Sequence, residues 1–93
     1  MTASPSLAEE LAAMALEELD AALSLSWAEL SRITPWGDSF EGIAPSGREV
    51  EVDRRYLWAS DGSGGVLIEV EVRALPEGGP GVEFSQLVMP DPA

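Results

Sequence analysis

Hydrophobic and polar residues change their spacing partway along this chain, and the change divides it into a helical part and a strand part. From Leu7 to about Leu23 the chain is rich in Ala, Leu and Glu, strong helix formers, with no Gly or Pro among them. On a helical wheel Leu7, Leu11 and Met14 form one stripe and Leu16, Leu19 and Leu23 a second. Ala8, Ala12, Ala15 and Ala22 lie between the stripes, and Glu9, Glu17 and Asp20 fill most of the opposite side. This apolar arc is wider than one surface contact requires. It predicts a helix with one edge on a sheet and the other against a second helix, from this chain or from another subunit. An intramolecular core face and a homodimer through the N-terminal helix are both open. Ser4 or Ser6 is placed to cap the helix, with Pro5 compatible with a first turn.

A short second helix follows. Ser26-Trp27-Ala28-Glu29 has the spacing of a capping box, and Thr34-Pro35 stops the helix near Ile33. Gly37-Asp38 then reads as a turn, and Ser39–Ala44 as a short strand before a Pro45-Ser46-Gly47 turn.

Beyond that point the period is two. In Glu49–Trp58, Val50, Val52, Tyr56 and Trp58 face one way, and Glu49, Glu51, Asp53, Arg55 and Leu57 the other. In Val66–Arg73, Val66, Ile68, Val70 and Val72 alternate with Leu67, Glu69, Glu71 and Arg73. A last strand over Val82–Met89 turns Val82, Phe84 and Val88 inward. Asp61-Gly62-Ser63-Gly64-Gly65 connects two strands, and Pro76–Gly81 is a flexible turn. Alternating segments separated by Gly-rich turns predict an antiparallel meander with one covered face and one wet face.

Charge sets the expected register. Trp58 opposite Val66 places Tyr56 against Ile68, Val52 against Val72, Arg55 against Glu69 and Glu51 against Arg73, so opposite charges meet across the outer face. Val82 opposite Val72 brings Phe84 to Val70 and lines up Leu57, Leu67 and Leu87 on that outer face. Asp53, Glu69, Glu71 and Glu83 lie nearby. An apolar strip with a charged border has the anatomy of a protein-binding patch. Scattered surface leucines, or a row covered by the short helix or the C-terminal tail, are the plainer readings.

Arg54 falls on the inward phase between Val52 and Tyr56 and needs a carboxylate or an exit to solvent; Glu18 on the helix is the candidate partner. A bulge at Arg54-Arg55 would also relieve it but would shift the register. Trp36, in a turn, is either a plug at one end of the core or an exposed anchor. Trp27 and Trp58 read as core.

Composition then narrows the function. The 93 residues suit one domain over 7–89, with flexible tails at 1–6 and 90–93. Acidic residues outnumber basic ones 17 to 5, for a net charge of −12, which repels nucleic acid and anionic lipid and favours a partner with a basic patch. Glu9, Glu10, Glu17, Glu18 and Asp20 interrupt the N-terminal apolar stretch, so a signal core or membrane span is not expected and a cytoplasmic protein is. Without histidine, cysteine or lysine there is no histidine base, thiolate, Schiff-base lysine or P-loop lysine. The Asp61–Gly65 segment lacks the repeated ligands of a calcium loop. No cofactor, metal or catalytic residue is expected.

The sequence thus predicts an α+β fold, an N-terminal helix and a short second helix packed on one face of a three- to four-stranded antiparallel β-meander. The expected function is that of a small acidic, non-catalytic protein-binding adaptor or regulatory subunit. Its candidate contacts are Leu57, Leu67, Leu87, Asp53, Glu69, Glu71, Glu83 and Trp36. The alternatives are a nucleic-acid-mimic inhibitor of a DNA- or RNA-binding protein, and a structural component of a phage or secretion-type assembly. A free edge strand is a further means of recruiting an extended peptide.

Overall fold

The computed structural model describes residues 6–76 and 81–91. Two helices, α1 (Leu7–Leu23) and α2 (Trp27–Ile33), precede four strands, β1 (Trp36–Ile43), β2 (Glu49–Trp58), β3 (Val66–Ala74) and β4 (Gly81–Val88). The strands form one antiparallel sheet in the order β1-β2-β3-β4, and α1 lies across β3 and β4. The fold is the expected α+β meander.

Both helices begin on the same device. The Ser6 hydroxyl accepts the Glu9 N–H while the Glu9 carboxylate accepts the Ser6 N–H; Ser26 and Glu29 repeat the exchange at α2. Each box satisfies two backbone donors at a helix start that would otherwise lack partners. Hydrogen bonds from the serine backbone also hold Glu9 and Glu29 below the usual carboxylate range. Residues 1–5 of the expected tail, most of the Pro76–Gly81 turn and residues 92–93 lie outside the described residues.

The face of α1 that is buried differs from the wheel reading. Leu11, Ala15, Leu19 and Ala22 are buried, whereas Leu16 and Leu23 are exposed. Small alanines on the buried line let the helix approach a surface of β-branched side chains closely, so the contact follows the alanines rather than the second leucine stripe. Opposite them Val66, Ile68, Val70, Val72 and Ala74 of β3 are almost entirely buried, joined by Val50, Val52 and Tyr56 of β2. At the far end Leu30 of α2 is buried, and Trp27 meets Trp58 edge-on at 6.5 Å. Trp58 itself is 48% exposed, so it borders the core rather than filling it. It pairs with Val66 of β3, whereas the pairing of β2 with β1 ends at Tyr56.

The register matches the charge argument throughout. Trp58 pairs with Val66, Arg55 with Glu69, Glu51 with Arg73, Val72 with Val82 and Val70 with Phe84, and no residue of β2 is skipped at Arg54-Arg55. The bulge therefore does not occur. Gly37-Asp38 is not a turn: β1 begins at Trp36, three residues before the expected start. Gly37 is glycine because of close approach, since a Cβ there would lie 3.0 Å from the Arg54 carbonyl oxygen. The β2–β3 connection uses a glycine the same way, a Cβ at Gly65 falling 2.8 Å from the Val88 carbonyl oxygen.

Candidate binding face of the sheet

On the outer face of the sheet the pairing sets Leu57 directly across from Leu67 and Leu67 directly across from Leu87. Leu57 is 38% and Leu87 36% exposed, with Leu67 half-buried between them. Leu67 and Leu87 also line a shallow depression of about 180 Å³ with Ala59, Ser60 and Asp61 of the β2–β3 loop. That loop is internally tied. Asp61 accepts the Ser63 N–H at 2.9 Å, the Ser63 hydroxyl accepts the Gly65 N–H at 3.1 Å, and Ala59 N–H bonds Gly65 C=O at 2.9 Å. Hydrogen bonds from Ser63 hold the Asp61 carboxyl below its ordinary range. The wall of the depression is thus a folded loop rather than loose chain.

The acidic residues beside the row are engaged with each other's counterions. Arg55 meets Glu69 at 2.9 Å and reaches Glu83 at 3.9 Å. Arg73 pairs with Glu51, with Asp53 at 2.9 Å and with Glu71 at 3.5 Å. These bonds raise the basicity of both arginines, Glu69 contributing most at Arg55 and Glu51 most at Arg73. Asp53, Glu69 and Glu71 are consequently part-covered, while Glu83 keeps the freest carboxylate of the four. The face is a leucine row at one end and a cross-linked ionic lattice at the other.

Trp36, the remaining candidate, lies elsewhere. It opens β1 on the inner face, where its ring sits 4.9 Å from that of Tyr56, and it is 36% exposed. It neither plugs the core nor joins the leucine row. Beside it Arg54 does point inward and does meet Glu18 of α1, at 3.1 Å. Its principal partner is Asp38, which accepts from Nε at 2.8 Å and from Nη2 at 2.5 Å. The guanidinium also lies over the rings of Trp36 and Phe40, 5.2 and 4.9 Å from their centres. Cation–π attraction from two faces and a bidentate carboxylate hold the group in place. The Arg54 hydrogen bonds pull the Asp38 carboxyl below its usual range and raise the guanidinium, while burial raises the Tyr56 phenol. A turn at Gly37-Asp38 hides Asp38, whereas alternation continued back through Phe40 to Trp36 places it inward.

Among the described residues no group of three or more His, Cys, Asp or Glu side chains is arranged to hold a metal, and no helix is long and apolar enough to cross a membrane. No family model, curated protein or solved structure matches the chain.

Proposed function

We propose that this chain is a small non-catalytic protein-binding module, an adaptor or regulatory subunit, whose outer sheet face receives a partner across Leu57, Leu67 and Leu87. The observation that carries the reading is the direct cross-strand alignment of three leucines beside a charged part of the same face. An apolar centre of this kind supplies the contact energy, and the bordering carboxylates set orientation and partner choice. The net charge of −12 and the exposed Glu83 favour a partner whose contact surface is basic at its rim. A nucleic-acid mimic needs uninterrupted carboxylate rows, whereas Arg55 and Arg73 interrupt this face. A second reading, self-association through α1, has one specific support: Leu16 and Leu23 stand exposed outside the buried line.

The test uses Leu87→Glu and Leu67→Glu beside wild type, with light scattering coupled to size exclusion and quantitative co-purification from cells expressing each form. Leu87→Glu is the gentler change, because Leu87 is already exposed. The expected result is a specific protein retained by wild type and depleted by about tenfold or more in both variants, with unchanged folding by circular dichroism. Equal capture by all three forms removes the leucine row from the reading. Unfolding of Leu67→Glu with equal capture by Leu87→Glu makes the row an extension of the core.

A further inference from the structure

The edge of the sheet at β1 is only lightly protected, its one inward charge, Asp38, being held by Arg54 of the neighbouring strand. The Ala44 N–H donates to the Arg48 carbonyl at 2.8 Å, which fixes the phase of the ladder: alternate residues back from Ala44 bond to β2. The N–H and C=O groups of Ser39, Glu41 and Ile43 therefore point away from the sheet. Natural edges are usually blunted by lysine, proline, a bulge or a covering segment. β1 contains neither lysine nor proline, pairs with β2 without a skipped residue, and packs chiefly against β2, while α1 covers the opposite half of the sheet.

The side chains along this edge differ between the two faces. On the inner face Trp36 and Phe40 are 36% and 38% exposed. On the outer face Glu41 stands directly across from Glu51, a like-charge pair that costs stability. Glu51 is bound to Arg73, but neither Glu41 nor Glu49 has an ion-pair partner among the described residues. Both border a shallow outer depression of about 250 Å³ with Gly42 and Ile43, and Ile43 is 69% exposed.

We propose that β1 is a strand-addition site for an extended segment of a partner protein, in which apolar side chains lie beside the exposed edges of Phe40 and Trp36 and a lysine or arginine lies beside Glu41 and Glu49. Backbone hydrogen bonds to Ser39, Glu41 and Ile43 supply the common affinity, and alternate side chains supply selection. Charge chooses this occupant over a second copy of the chain. A basic segment relieves the Glu41–Glu51 repulsion and is drawn by a net charge of −12, whereas two copies bring −12 to −12. This site lies on a different strand from all three leucines of the row and stands or falls separately from it.

The probe is a terminally blocked peptide of the length of β1 that alternates valine and arginine, with a control of the same composition carrying the valines and arginines in separate blocks. Binding is read by tryptophan fluorescence and by amide hydrogen exchange at Ser39, Glu41 and Ile43. Glu41→Pro removes an N–H that points away from β2, so the ladder to β2 stays intact and the obstruction is specific to an added strand; circular dichroism and the urea midpoint verify its fold. Expected are tighter binding of the alternating peptide, new exchange protection at the three amides, and a loss of about tenfold or more in Glu41→Pro. Glu41→Gln loses only about threefold, and less at high salt, and Glu17→Gln, the same change of charge at an exposed position of α1, binds as wild type does. Equal binding of the block control, equal binding by Glu41→Pro, or no new protection overturns the proposal. A wild-type dimer that Glu41→Pro turns into a monomer also overturns it, since the occupant is then a second copy.

Discussion

Replacing Asp38 by alanine should destabilise the protein by about 1–2 kcal/mol at neutral pH. Asp38 accepts two hydrogen bonds from Arg54 at 2.8 and 2.5 Å, with the side chains 35% and 26% exposed. Charge-assisted bonds of this geometry contribute more when fully buried; partial solvent access reduces the sum to about 1–2 kcal/mol. For a domain of this size that lowers Tm by roughly 5–15 °C. Arg54→Ala should cost more, about 2–3 kcal/mol, because it leaves the Asp38 and Glu18 carboxylates without their shared cation and uncovers Trp36 and Phe40. A double-mutant cycle measured by urea unfolding, with tryptophan fluorescence and circular dichroism as separate probes, should give a coupling of about 1 kcal/mol. The pH dependence has a definite sign. Because Arg54 holds Asp38 below its ordinary range, the unfolded chain binds more protons there, and stability rises with pH through that window. The contribution is complete at neutral pH and fades as the pH falls from the ordinary carboxylate range, about 4, through the lower native value. Asp38→Asn should lack this part of the acid sensitivity. A coupling indistinguishable from zero at pH 7, or identical acid slopes for wild type and Asp38→Asn, refutes the assignment of Asp38 as the principal partner of Arg54.

Two further substitutions test the packing. Leu11→Ala removes a fully buried side chain at the contact of α1 with the sheet and should cost about 3–4 kcal/mol in urea unfolding; a change under about 1 kcal/mol would show that α1 does not dock on this line. Gly65→Ala should cost about 1–3 kcal/mol, since its Cβ would lie 2.8 Å from a backbone oxygen of β4 that cannot swing away; unchanged stability would mean that the β2–β3 loop does not approach β4 so closely.

Most of the sheet is legible in the sequence because a period of two leaves little freedom. In β2 and β3 a one-residue slip would bury Glu51, Glu69 and Glu71 and expose Val52, Val70 and Val72, so alternation together with the Arg55–Glu69 and Glu51–Arg73 pairs selects a single register. The caps at Ser6 and Ser26 are equally local, each written within four residues. The Arg54–Glu18 contact is longer in range and still readable, since an inward arginine creates a demand and Glu18 lies on the facing side of α1. The extent of β1 is masked by Gly37, which carries the signature of a turn; the nearby Arg54 carbonyl shows that the glycine serves close packing. The place of Trp36 on the inner face beside Tyr56 is hidden by that same boundary.

What the sequence alone determined, then, is the class of fold, the pairing of the central strands and the identity of the leucine row, because each is dictated by short-range periodicity and by charges that must find neighbours. What only the tertiary structure decided is how much of each surface is covered. The wheel gives one wide arc of two leucine stripes with alanines between, and the burial of its Leu11–Ala15–Leu19–Ala22 middle rather than one edge comes from fitting small side chains to the valine surface of the sheet. That fit sets α1 over β3 and β4 and leaves β1 as an uncovered edge. No local pattern encodes this outcome, because docking balances the burial of the whole helix against the whole sheet.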